Sequence, residues 1–335
     1  MALQKSNATQ LAVKEETTFK QAVTFTSADV IPYCECTFTP NTEVLERCST
    51  NPTSLLPYAA LKGSQTSTGT ITLETMPDDT ATELVGHVLY KAALGGYDAL
   101  GAVIDAVTNF EIEDHTTLSD GTDGLYFLGD GALTTPSIAA KYVLGGVAAN
   151  SVDVRGLVVE SMSMSFPPQG IVQTTFNLQG ATGFIPVTTA ALDDFCSEIE
   201  PYVAKSCMLK IDGTDFVATD VEFTVTNSIS DFTSVNDDGI TEKTLTGRMI
   251  EGSFKLIFDD LSQINTFNSW ADAELFLHVV QADGKELAIH ILRLKRTSLD
   301  INPDDDGIIT QSVTFQVFDS CSAGTESAFK LAIKA

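Results

Sequence analysis

The residues of this chain with the chemistry to catalyse or to ligate are four histidines, six cysteines and two acid-rich turns. Imidazoles hold metals or shuttle protons when a second ligand or a carboxylate stands at a fixed offset, as in HExxH. His87, His115, His278 and His290 share no such offset. His87 falls on a helical stripe and His290 inside the apolar run Leu287–Leu294, so both read as packed, structural side chains. Thiolates bind zinc in closely spaced pairs such as CxxC. Cys34, Cys36, Cys48, Cys196, Cys207 and Cys321 form none, and their scatter along a long chain reads as reduced thiols in a cytoplasm. Asn302–Gly307 and Asn236–Gly239 offer oxygen ligands of the kind Ca²⁺ takes, without the twelve-residue loop and its closing Glu. Asp and Gly in such runs are turn formers first. GxSxG, GxxxxGK[ST] and a GxGxxG after a strand are missing. The expectation is a chain with no catalytic centre, no cofactor and no metal.

Composition narrows the partners. The 335 residues carry 19 basic and 45 acidic side chains, a net charge of −26. Phosphate repels such a surface, which excludes ordinary nucleic-acid binding and disfavours an anionic membrane. The start, Met1 to Asn7, has no apolar stretch like that of a secretory signal, and Ala92–Phe110 is interrupted by Asp98 and Asp105. At 43% hydrophobic residues the chain has the apolar content of a folded protein, and its length is that of about two domains.

Four blocks recur in the same order in the two halves, the mark of an internal repeat. Cys34-Glu-Cys-Thr-Phe-Thr matches Val221-Glu-Phe-Thr-Val-Thr, each alternating with period two. Leu61-Lys-Gly63 with Gly69–Glu74 matches Leu245-Thr-Gly247 with Gly252–Leu256. Asp78-Asp79 ahead of Leu84, Val88, Leu89, Ala92 and Ala93 matches Asp259-Asp260 ahead of Leu261, Ile264, Phe267 and Trp270. Both have the helical period, with acids placed to cap the N-terminus. Last, Met162, Met164 and Phe166 turn through Pro167–Gly170 to Phe176 and Leu178, as Ser298–Ile301 turns through Asn302–Gly307 to Val313, Phe315 and Val317. The fold expected is mainly β: two tandem β-sandwich or barrel domains, each with a flanking α-helix. The boundaries read as an N-terminal arm over 1–29, a first domain over 30–187 with an insertion at 95–157, a connector over 188–201, a second domain over 202–320 and a tail over 321–335.

The other faces of these strands are Thr, Ser, Gln and Glu. Glu35, Thr37 and Thr39, Ser161, Ser163 and Ser165, and Glu222, Thr224 and Thr226 lack any Lys or Arg between them. Such faces suit a solvated sheet, and equally a smooth acidic wall.

Three phrases resemble the phage tail tube protein family: Ala8–Thr24, Val158–Gly170 with its following Phe176-Asn-Leu-Gln-Gly180, and Leu245–Asp260. The similarity spans roughly 8–318, apart from 95–157. It implies a structural virion protein of a phage tail, assembled in the host cytoplasm, whose rings stack into a hollow conduit through which DNA passes without specific binding. Its implied partners are further copies of itself, the tape measure protein, and the tail tip and tail terminator proteins. Two domains per chain imply three chains in a pseudo-sixfold ring, with six chains as the competitor. Glu35 and Glu222 are the leading candidates to line the lumen, with Asp220 weaker; Arg248 and Lys255 are candidates for ring contacts. The alternative function is a monomeric two-domain module that binds a glycan or other ligand through Tyr97, Phe110, Tyr126, Phe127 and Tyr142.

Overall fold

A computed structural model of the chain describes residues 9–46, 60–78, 82–98, 111–112, 116–117, 124–128, 136–188, 192, 199–205, 207–235, 239–258, 261–281, 284–305, 308–318 and 327–334. The first half contains β1 (Gln10–Glu15), β2 (Val30–Ile31), β3 (Glu35–Glu46), β4 (Ala60–Glu74) and α1 (His87–Leu94). Four short strands follow: β5 (Gly95–Asp98), β6 (Glu111–Ile112), β7 (Thr116–Thr117) and β8 (Gly124–Leu128). Then come β9 (Ile138–Val143), β10 (Ser151–Phe166), β11 (Gln173–Gly180) and β12 (Ile185–Val187). The second half runs through β13 (Cys207–Ile211), β14 (Thr214–Phe216), β15 (Ala218–Thr233), β16 (Ile240–Ile257) and α2 (Ser262–Ser269). It closes with β17 (Ala273–Val280), β18 (Glu286–Asp305), β19 (Ile308–Val317) and β20 (Phe329–Lys334). The fold is mainly β and antiparallel, as expected.

The two halves share one scheme of pairing. In the first, β3–β4–β11–β10 form a four-stranded sheet. The other half of β10 pairs with β9 and β12, and β9 continues to β1 and β2. In the second, β15–β16–β19–β18 form the equivalent sheet. There β18 pairs with β17 and β20, and β17 continues to β13, which pairs with β14. Each long strand therefore crosses from an inner sheet to an outer one and wraps its unit into a barrel-like sandwich. A bulge kinks β10 between Val159 and Ser161, and another kinks β18 between Arg296 and Ser298, at the matching place. The units are then fused by a ladder from β10 to β15, giving one inner sheet of eight strands.

Alternation drives the core. Met162, Met164 and Phe166 of β10 face inward with Phe176 and Leu178 of β11 and with Val221, Phe223 and Val225 of β15, all buried. At roughly 1.5–3 kcal/mol for each large apolar side chain taken from water, this set alone outweighs any surface contact in the chain. Gly69 and Gly252 let aromatic rings lie flat on the inner sheet: a Cβ there would meet Phe38 Cδ1 at 2.5 Å or Phe315 Cζ at 2.4 Å.

Several boundaries move. Residues Gln10–Glu15, taken for part of an arm, are a strand between β9 and β2. The reach 136–157, placed inside an insertion, supplies β9 and the first half of β10, which are parts of the unit's own sheet. Residues 321–335, read as a tail, contain β20, which joins β18 of the second unit to β8 of the first. The helices also differ from expectation. The α1 N-cap is Gly86, in the left-handed region at φ 81, and Asp78 instead closes a tight turn by accepting from the Glu83 amide at 3.2 Å. In α2 the buried residue is Gln263, whereas Leu261 and Trp270 of the expected stripe are exposed. Asp79, Asp259 and Asp260 lie outside the described residues.

Phe329 of β20 is fully buried with its ring 5.2 Å from that of Phe223. Phe329→Ala is expected to cost about 3–5 kcal/mol, read as a lower urea midpoint with an unchanged denaturant slope.

Candidate functional site

Among the described residues, the polar face of the eight-stranded sheet is an extended surface built to a plan. Following the ladder outward from β3, Glu35 stands opposite Thr72, Thr72 opposite Thr175, and Thr175 opposite Ser163. The row continues through Thr224, Glu251, Gln316 and Lys295. A second row runs Glu74, Gln173, Ser165, Glu222, Ser253, Thr314, Ser298. A third runs Asp220, Lys255, Ser312, Asp300. The hydroxyls satisfy one another across the strands. Thr72 and Thr175 share a hydrogen bond of 3.0 Å, Ser163 and Thr224 one of 2.8 Å, and Ser298 and Thr314 one of 2.7 Å. Asn177 links two strands at once, accepting from Thr70 at 3.0 Å and donating to Ser161 at 2.9 Å. Two shallow grooves open here, one spanning β3, β4, β11, β10 and β15 and one from β15 to β18, so the face is concave.

Its charge is lopsided. Glu35, Glu74, Asp220, Glu222, Glu251 and Asp300 stand on these rows, with Lys255 and Lys295 the basic residues among them. Glu35, Glu222 and Asp220, the expected lining residues, are exposed and share this face. The match between halves is shifted, however. Gly69 lies opposite Phe38 and Gly252 opposite Phe223, which makes Asp220 the counterpart of Glu35 and Thr37 that of Glu222. The two β-bulges give the same register. Sequence comparison missed this because a shift of two residues preserves the alternation it relied on. Of the expected ring contacts, Lys255 lies on the concave face beside Asp220, and Arg248 bonds Asn227 at the junction of the two units; neither is on an outer strand edge.

The groups able to do chemistry are otherwise engaged. Tyr126 OH accepts from the Leu84 amide at 3.1 Å and lies 2.9 Å from His87 Nδ1, to which it donates when that nitrogen is bare. His278 pairs with Glu286 at 3.0 Å, and His290 with Glu274. Cys34, Cys36 and Cys207 are thiols, and burial pushes Cys36 and Cys207 up to about 12, where the nucleophilic thiolate is scarce. No cluster of three metal-ligating side chains occurs among the described residues. His115, Cys48, Cys196, Cys321, Phe110, Asn236–Asp238 and Asp306–Gly307 lie outside them. Of the aromatics expected to form a ligand site, Tyr126 is buried with its ring tilted against His87, Tyr97 meets His87 edge-on, and Tyr97, Phe127 and Tyr142 are half-buried.

The model of the phage tail tube protein family matches residues 6–317. This chain belongs to that family. As a tail tube protein it is a structural component of a phage tail, and its family gives no ground for an enzymatic activity. No helix among the described residues is long and apolar enough to cross a membrane. No curated protein matches the chain. Among solved structures, a chain of "Virion of native gene transfer agent (GTA) particle" aligns over 39% of this tail tube protein and 97% of that chain, at 16% identity and a TM-score of 0.27.

Burial pulls His87 down to about 4, with Lys91 adding repulsion. The unfolded chain therefore takes up this proton first, and the stability His87 contributes falls as pH drops from about 6.5 towards 4. His87→Asn is expected to flatten that part of the melting-temperature profile relative to wild type.

Proposed function

We propose that this protein is the major tail tube subunit: three chains close a ring, rings stack, and the concave acidic face becomes the lumen through which DNA leaves. The observation that carries this reading is a pair of unfinished edges on the inner sheet. Among the described residues β3 pairs with β4 alone, and Arg296–Asp305 of β18 pairs with β19 alone. Inside the chain, the equivalent edges of β10 and β15 are already joined. A second chain placed by the same rule continues the sheet head to tail, and such contacts close into rings.

The stagger of the strands supports the size. Four ladders carry Glu35 to Thr224, four residues beyond its counterpart Asp220. With a rise of about 3.3 Å per residue and strands about 4.8 Å apart, that stagger tilts the strands roughly 35° to the tube axis. Twenty-four strands from three chains then close at about 45 Å between backbones, against about 30 Å for two chains. Only the wider barrel leaves room for a duplex once side chains are added. Self-paired hydroxyls give phosphates little to grip, and the acids repel them. The ring would house the tape measure protein and meet tail tip and terminator proteins at its ends. The engagement of Tyr97 and Tyr126 with His87 favours the tube reading over a monomeric glycan-binding module.

Two experiments test the reading. By the rule of the internal ladder, Asp300 of one chain stands opposite Thr39 of the next. Oxidising Thr39→Cys/Asp300→Cys should trap a covalent trimer of ring mass, seen by mass photometry and as hollow rings or tubes by electron microscopy. Thr39→Cys/Ser312→Cys should not cross-link; a monomer from the first pair under assembling conditions would sink the proposal. Separately, Glu35→Lys/Asp220→Lys/Glu222→Lys should leave tubes intact while lowering DNA delivery at least tenfold, because the lumen then binds phosphate.

A further inference from the structure

The junction between the two units is a template for the junction between chains, and one residue departs from it. Inside the chain, Asn227 of β15 is buried and donates through Nδ2 to the carbonyls of Ala93, in the last turn of α1, and of Val159, at the β10 bulge, both at 3.0 Å. Arg248 Nε donates to Asn227 Oδ1 at 2.8 Å. In the register set by Gly69 and Gly252 and by the two bulges, Thr42 is the counterpart of Asn227, Gln65 of Arg248, and Arg296 of Val159. The counterpart pair is already made on the outer strand edge, where Gln65 Nε2 donates to Thr42 Oγ1 at 3.1 Å and Thr42 is exposed.

The receiving side is incomplete. α1 has β15 as its neighbour, whereas α2, at the outer edge, leaves Leu261 and Trp270 59% and 54% exposed. Next to α2 lies Arg296, only 2% exposed. Its Nη2 donates to Gln263 Oε1 at 2.8 Å, while Nε and Nη1 have no partner among the described residues. A guanidinium presents five donors and keeps its charge, so leaving it buried and half-bonded is costly. Burial lowers its pKa and Asp212 opposes that. The first unit has Val at this place and no such liability.

We propose that Arg296 is completed by a second copy of this chain, donating to the side-chain oxygens of Thr42 and Gln65 of the partner subunit when that copy's β3 joins β18. This rests on the ring reading above. The arginine has changed sides: within the chain it rides on the arriving hairpin, and between chains it waits in the receiving sheet. It is a positioning residue, because a two-residue slip of the arriving strand carries both acceptors out of its reach.

Arg296→Val, which installs the residue of the first unit, should give a folded monomer melting no lower than wild type. The concentration for half-maximal ring assembly should rise at least tenfold by mass photometry. Gln65→Ala should raise it as well, and the double variant should assemble no worse than Arg296→Val alone, since both remove one contact. Unchanged assembly of Arg296→Val, or effects of the two substitutions that simply add, overturns the inference. Should Arg296→Val fail to fold, Gln65→Ala, at a half-buried position on β4, decides alone: assembly as in wild type overturns it. The Thr39→Cys/Asp300→Cys cross-link separates the two levels. Its absence sinks the ring reading and this inference together; a cross-link with no dependence on Arg296 sinks this inference alone.

Discussion

The ladder between β10 and β15, from Ser161 opposite Thr226 to Phe166 opposite Val221, turns two four-stranded sheets into one of eight. Everything else in the fold is arranged around what that ladder requires. One side must be dry, so Met162, Met164 and Phe223 sit beneath it in the shared core. The other side must be regular across units, so hydroxyls line up in rows and bond to each other. The bulge at Val159 lets β10 leave this sheet and enter the outer one, which puts the end of α1 within reach of Asn227. A strand edge that can be satisfied only by another edge is also a hazard. Pro40 on β3 lacks an amide hydrogen and is tolerated because it lies on such an outer strand.

The alternating strands were legible in the sequence because each has one wet and one dry face. Met162-Ser-Met-Ser-Phe166 and Val221-Glu-Phe-Thr-Val225 announce both their conformation and their inward side. The strands that were missed are those without that contrast. Leu11, Ala12 and Val13 of β1 are all buried, and so are Phe329 to Ile333 of β20, including Lys330, because both faces of the outer sheet are covered there. Ala139 and Ala140 carry too little apolar character to stand out from a loop.

The face itself was legible and its register was not. Glu35, Asp220 and Glu222 could be assigned a side by parity alone. Which of them stand abreast depends on where ladders and bulges fall, and a shift of two is silent in the pattern. Lys255 and Arg248 were harder still: a lone cation in a strand carries no periodic signal, and its role follows from the row it joins. The stripe Leu261, Ile264, Phe267 and Trp270 misled for a different reason. The stripe overruns the helix at both ends: Ile264 and Phe267 are half-buried, Leu261 and Trp270 are exposed caps, and Gln263, bonded to buried Arg296, takes the inward place.

The C-terminal strand sets an order on synthesis. Phe329–Lys334 leaves the ribosome after every strand it pairs with, and it bridges β18 of the second unit to β8 of the first. Until it arrives, the outer part of β18 lacks one of its neighbours and Phe223 lacks its buried ring partner. Domains generally fold in the order of translation, and half-made strand edges are where chains of one kind misassemble. Here the strand that joins the two units is made after both strands it pairs with, so those two edges stay open until Phe329–Lys334 emerges.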